Sequence, residues 1–136
     1  MIEFFSEDIE FEVAAPHQLR QWLQKVIRAE QCVPGDINYI FTSDDYLLAL
    51  NQNYLQHETY TDILTFDQST DSGSVSGDIY ISIDRVRVNA GHYRQTFGQE
   101  LKRVMVHGML HLIGYNDQSP EEKSEMRKKE EAYLSL

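Results

Sequence analysis

One apolar stretch, Val104-Met-Val-His107-Gly-Met-Leu-His111-Leu-Ile-Gly114, constrains this chain more than any other. Leu101, Val104, Met105, Gly108 and Leu112 recur at helical spacing, so a helix is expected over Phe97 to Ile113. His107 and His111 lie four residues apart, a little over one turn, and leave the same helix face. That is the spacing by which a helix offers two nitrogen ligands to zinc. Gly114 supplies the left-handed residue that ends a helix and turns the chain back. Asp117, three residues further on, is then within reach as a third ligand. The expected metal set is His107, His111 and Asp117, with a position left for water that the metal acidifies. Zinc suits two imidazoles and a carboxylate, and nickel, iron and manganese are compatible with them.

Metzincin proteases share the His-x3-His-x2-Gly spacing but carry a glutamate directly after the first histidine as general base. Here that position is Gly108, which transfers no proton. The helix is metalloprotease-like in layout without the protease's base.

The rest of the chain reads as alternating strands and helices. Ile2–Phe5 and Ile9–Val13 alternate apolar with acidic residues, as half-buried strands do. Pro16 opens a helix carrying Leu19, Trp22, Leu23, Val26 and Ile27 on one stripe. Pro34-Gly35 marks a turn before a strand over Ile37–Thr42, and Ser43-Asp44-Asp45 starts a second helix. Thr61–Phe66 and Gly77–Ile83 are strands joined through a Ser/Asp/Gly-rich loop. Asp84 is placed to cap a third helix, and Ser119-Pro120-Glu121-Glu122 opens a last one anchored by Met126, Tyr133 and Leu134. The expected fold is α+β, one mixed sheet of about four strands covered by helices, as a single domain over residues 1–136.

Charge bears on partners. A net charge of −10 argues against indiscriminate nucleic-acid binding. The distribution is uneven, because no Lys or Arg falls between Glu30 and Asp84, whereas Arg85, Arg87, Arg94, Lys102 and Arg103 precede the histidines. On charge alone that segment is a solvated helix face. Cys32 is the sole cysteine, so no disulfide-linked partner is expected. No apolar run is long enough to span a bilayer, and the acidic N-terminus is not a signal peptide, which makes the cytoplasm the expected location and leaves no role for a membrane.

Three blocks together resemble one family. HGMLHLIGYND matches the pattern His-Gly-x-Leu-His-Leu-x-Gly-Tyr-Asp-His of the YbeY family of bacterial metal-dependent endoribonucleases and rRNA maturation factors. LNQNYLQHETYTDILTF resembles its Leu-Asn…Tyr-Arg…Thr-Asp-Val-Leu-Ser-Phe segment, and GDIYISID its Gly-Asp-Ile-x-Ile strand. The resemblance implies an α+β fold with a zinc site on a helix and hydrolysis of single-stranded RNA. It also implies a role in maturing the 3′ end of small-subunit rRNA and in ribosome quality control, with the ribosome or its small-subunit assembly factors as partners. Three positions depart from the pattern. The third histidine falls on Asp117 and the aspartate before it on Asn116, and an arginine that the family uses for activity falls on Leu55, which holds no phosphate. The catalytic role is therefore expected of His107 and His57, and RNA phosphate contacts of Arg85, Arg87, Lys102 and Arg103. A zinc-containing assembly factor without catalysis and a different metallohydrolase, such as a peptidase, are the competing functions.

Overall fold

The computed structural model describes residues 1–55, 61–70 and 73–136, with Tyr54 and Leu55 described in backbone only. His57 lies outside the described residues. The element order is β1 (Ile2–Ser6), α1 (Pro16–Ala29), β2 (Val33–Thr42), α2 (Asp44–Leu55), β3 (Ile63–Asp67), β4 (Ser74–Ser82), α3 (Ile83–His92), α4 (Phe97–Ile113) and α5 (Pro120–Leu134). These strands form one sheet in the order β1-β2-β4-β3. β1, β2 and β4 run parallel, and β3 closes one edge antiparallel to β4. The expected mixed α+β sheet with its β3–β4 hairpin is the one observed.

Alternation along β4 decides which face carries the site. Val75, Ile79 and Ile81 are buried, and Ile79 meets α4 at Gly108. Tyr80 points to the opposite face, where its ring stacks on Tyr46 of α2. On the α4 face, β2 contributes Tyr39, fully buried, whose hydroxyl donates to the Met105 carbonyl at 2.8 Å. That bond satisfies a polar group inside the core and fixes the height of α4 over the sheet. Leu23, Val26 and Ile27 of α1 and Val104, Met105, Met109 and Leu112 of α4 complete the same core.

Gly108 permits this close seating. A Cβ there would stand 2.6 Å from Ile63 Cδ1 and 2.9 Å from Ile79 Cγ2. The isoleucine tip can swing, but the β-branched methyl of Ile79 cannot. Gly108→Ala is therefore expected to destabilise by about 1–2 kcal/mol, the overpacking cost exceeding alanine's better helix propensity. A urea titration at constant m-value measures it, and a midpoint at or above wild type would refute the packing argument.

Four local expectations are corrected. Ile9–Val13 forms no strand, since it pairs in no ladder among the described residues. Its alternation instead lays Ile9, Phe11 and Val13 partly buried on the core, with Phe11 edge-on to Phe41 and Phe97. Pro34-Gly35 does not precede β2 but sits inside it, where the register with β4 slips between Pro34 and Ile37. Ser82, not Asp84, caps α3 by accepting from the Arg85 N–H, while Asp84 accepts from the Asp44 N–H at the start of α2. In α5, Met126 and Tyr133 are buried as expected, but Leu134 is exposed. No helix among the described residues is long and apolar enough to cross a membrane.

Candidate metal centre

α4 begins at a capping box, Thr96 accepting from the Gln99 N–H while the Gln99 side chain accepts from the Thr96 N–H. It ends at Gly114, whose φ of 125° is open to glycine and strained for other residues. Between them the face defined by Gln99, Arg103, His107 and His111 recurs every four residues.

The turn beyond Gly114 brings Asp117 back to this face. His107 Nε2 lies 3.0 Å from His111 Nε2, and Asp117 Oδ2 lies 3.3 and 3.4 Å from those two nitrogens. Four donors about 2.0–2.1 Å from a tetrahedral zinc ion stand roughly 3.3–3.4 Å apart, so the three atoms have the spacing of one face of such a site. Among the described residues this is the group of His, Asp and Glu side chains able to hold a metal ion.

The tautomers agree with the distances. His111 Nδ1 is 3.1 Å from the Tyr115 carbonyl oxygen, which only accepts, so Nδ1 carries the proton and donates. His107 Nδ1 donates to Glu130 Oε2 at 2.6 Å. With both Nδ1 protons committed in the neutral rings, each Nε2 presents a lone pair, and both face each other and a carboxylate oxygen. Three electron-rich atoms converge at a point that calls for a cation. The donor set therefore fits a divalent metal with imidazole and carboxylate ligands.

Buried carboxylates hold the arrangement from two sides. Glu130 of α5 and Glu100 of α4 have side chains 6% and 1% exposed, and Arg103 bridges them. Its guanidinium donates to Glu100 at 2.9 and 2.6 Å and to Glu130 at 3.1 Å. The resulting chain, Glu100–Arg103–Glu130–His107, ends on a residue of the candidate metal group. Burial by itself pushes the His107 imidazole down. The Glu130 hydrogen bond and charge, with the charges of Asp117 and Asp62, outweigh burial and hold it above the ordinary histidine value. The same carboxylates favour any cation at Nε2.

Asp62, just before β3, is the other carboxyl at this centre. Burial raises it, and the charges of Arg103 and His107 offset only part of the rise. On the opposite flank Glu30, ending α1, accepts from Tyr115 Oη at 2.5 Å, from Tyr133 Oη, and from Lys129 Nζ at 3.0 Å. Tyr115 thereby ties the turn that supplies the His111 acceptor to α1 and α5.

The Glu30 cluster carries a pH signature. Burial raises the Glu30 carboxyl, but its three donors win and hold it below the usual glutamate value. A depressed carboxyl contributes stability above its unfolded value, near 4.3–4.5, and loses it as pH falls through the folded value. With metal removed by chelator, the urea midpoint should fall on acidification below about pH 4.5, and Glu30→Gln should flatten that fall. Parallel profiles for the two proteins would refute the assignment.

The remaining sequence-derived residues are placed as follows. Arg85 pairs with Asp44 at 2.8 Å, Arg87 lies over the Phe97 ring, and Lys102 lies over the Trp22 ring. Of the four basic residues, Arg103 meets the centre, and it does so through carboxylates. Glu130, Glu100 and Glu30 were not singled out in the sequence, and Asp62 reads there as a residue that orients a strand or caps backbone groups. Glu130 had a visible signal, since it falls in register with Met126 and Tyr133 on the buried stripe of α5.

Comparison with known proteins settles the lineage. A family profile described as endoribonuclease YbeY matches residues 1–136. The chain belongs to the YbeY family. The chain is 47% identical to the endoribonuclease YbeY of Cytophaga hutchinsonii over 99% of its own length and 94% of that protein's. It is also 47% identical to that of Amoebophilus asiaticus, over 98% and 90%. The solution structure of TM1509 from Thermotoga maritima superposes with a TM-score of 0.67 at 30% identity, covering 99% of this chain and 87% of that one. The YbeY helix and its glycine turn are thus the elements that carry the triad here, with Asp117 in the last position.

Proposed function

We propose that this chain is a zinc-dependent endoribonuclease of single-stranded RNA. We place its work in maturing the 3′ end of 16S rRNA and in ribosome quality control in the cytoplasm. The observation that carries this reading is the convergence of His107 Nε2, His111 Nε2 and Asp117 Oδ2 with both Nδ1 protons committed elsewhere. Relatives named as endoribonucleases supply the substrate class.

Zinc bound by the three residues would supply Lewis acidity toward a phosphoryl oxygen and an acidified water at neutral pH. The chain's own residues do the rest. Glu130 and the Tyr115 carbonyl hold the two rings with Nε2 outward. Gly108 provides no base, and Asp62 is a half-buried carboxyl that feels the charge of His107 and is held above the usual carboxylate range by desolvation. Arg87 and Lys102 keep exposed cations for RNA phosphates, whereas Arg85 and Arg103 are ion-paired. His57 is retained as a further catalytic or phosphate-binding group.

The deciding assay incubates the protein with single-stranded RNA and, separately, with casein, before and after chelation and with zinc restored. RNA cleavage lost on chelation and regained with zinc supports the reading. Casein cleavage, or RNA cleavage indifferent to chelator, overturns it. Leu55 in place of the family arginine favours a second reading, a zinc-containing assembly factor without catalysis. That reading predicts stoichiometric zinc and binding to small-subunit particles with no RNA cut.

A further inference from the structure

A cavity of about 620 Å³ opens beside α4, on the N-terminal side of the triad. Tyr93 and Gln95 line it from the turn between α3 and α4, Gln99 and Arg103 from α4, and Arg127 and Leu134 from α5. Gln99 and Arg103 are the two residues that precede His107 and His111 on one face at four-residue spacing, so the cavity and the metal centre share that face. They are also joined by bonds, because Glu130 lines the cavity, accepts from Arg103, and accepts from His107 Nδ1. A strand lying over the triad along α4 reaches this opening next.

The lining says what would enter. The two buried carboxylates in the floor, Glu100 and Glu130, are already matched by Arg103. The remaining charges, Lys102 and Arg127 against Glu131, leave little excess of either sign. A site for phosphate would carry a clear positive excess. What the walls offer is a flat ring, two amides and an aliphatic side. Tyr93 is 57% exposed although aromatic, and Leu134 is 38% exposed. Gln99 spends its amide oxygen on the Thr96 N–H, which leaves its NH₂ group as donor, and the exposed Gln95 side chain brings both a donor and an acceptor. An exposed ring with amide groups beside it is the equipment with which proteins stack unpaired bases and read their edges.

We propose that this cavity is a nucleobase subsite. It takes one unpaired base of the RNA strand whose backbone lies at the triad, stacked on Tyr93 and hydrogen-bonded by Gln95 and Gln99. The inference rests on the ribonuclease reading for its ligand, and it adds a determinant of how the strand is set relative to the metal.

The test reads binding, so it does not depend on turnover. Anisotropy of a fluorescein-labelled single-stranded RNA is measured with the metal-loaded protein, using a series in which one nucleotide at a time is made abasic. One position should stand out, its abasic form binding about tenfold more weakly. Tyr93→Ala should weaken the intact RNA by about the same factor, show no further loss at that abasic position, and keep its full metal content. Tyr93→Phe should bind as wild type. A flat abasic profile, or one that Tyr93→Ala leaves unchanged, overturns the subsite. RNA that binds with the expected profile but is never cut supports the subsite and counts against hydrolysis, so the two failures are distinguishable.

Discussion

Replacing His107 by alanine is expected to strip the purified protein of stoichiometric metal and to abolish RNA cleavage. The ring provides one of three donors and is the ligand whose far nitrogen is anchored in the buried network. Outer-shell partners of a metal ligand are each worth roughly 10–100-fold in affinity. Loss of the ligand itself should exceed that range, with Glu130→Gln falling inside it. Elemental analysis and competition with a chromophoric chelator give both values. Zinc retained at one equivalent in His107→Ala would remove this residue from the metal set, and a Glu130→Gln protein with unaltered affinity would detach the network from it.

The second large effect concerns stability. Arg103→Met should cost about 3–5 kcal/mol, because it leaves Glu100 and Glu130 buried with no counter-charge. Guanidinium denaturation of wild type and variant measures it directly. A surface phosphate-binding arginine would behave differently. Its loss would leave the denaturation midpoint nearly unchanged and would lower the salt dependence of RNA binding. A variant as stable as wild type, with a shallower salt slope, would return Arg103 to the RNA surface.

The history of Arg103 shows how far the sequence carries. Read along the chain, it belongs to a basic run, and basic runs are solvated or meet nucleic acid. Its partners are Glu100 at three residues and Glu130 on another helix. The first was close enough in sequence to notice, but the second depends on how α5 docks against α4, which no local pattern states. The triad was legible because its members come from one helix and the turn that follows, where spacing is geometry. The sheet was legible for a related reason, since β3 and β4 are adjacent in sequence and rich in strand-forming residues. Ile9–Val13 alternates cleanly and forms no strand. Alternation reports a half-buried extended segment, and a ladder partner is a separate requirement that tertiary structure supplies or withholds. Glu100 and Glu130 had a readable mark, a charge standing in register with a buried apolar stripe. Such a charge needs a partner inside the fold, and naming it as unpaired in sequence is itself a prediction of a network.

Gly108 narrows what this scaffold can become. A glutamate grafted there in imitation of the metzincins would collide with Ile79 before it reached any substrate. The helix would lift from the sheet, and the ligands would move with it.

Glu130 has a temporal consequence. The three candidate ligands are all translated by Asp117, but the carboxylate that orients His107 lies further along, on α5. That helix is held in place by the Trp22 indole N–H donating to the Tyr133 carbonyl and by the Glu30 cluster. A ribosome-tethered chain halted between Asp117 and Glu130 therefore has every donor atom but lacks the acceptor for His107 Nδ1. The orientation of the His107 ring is therefore supplied by a helix translated after all three donor residues.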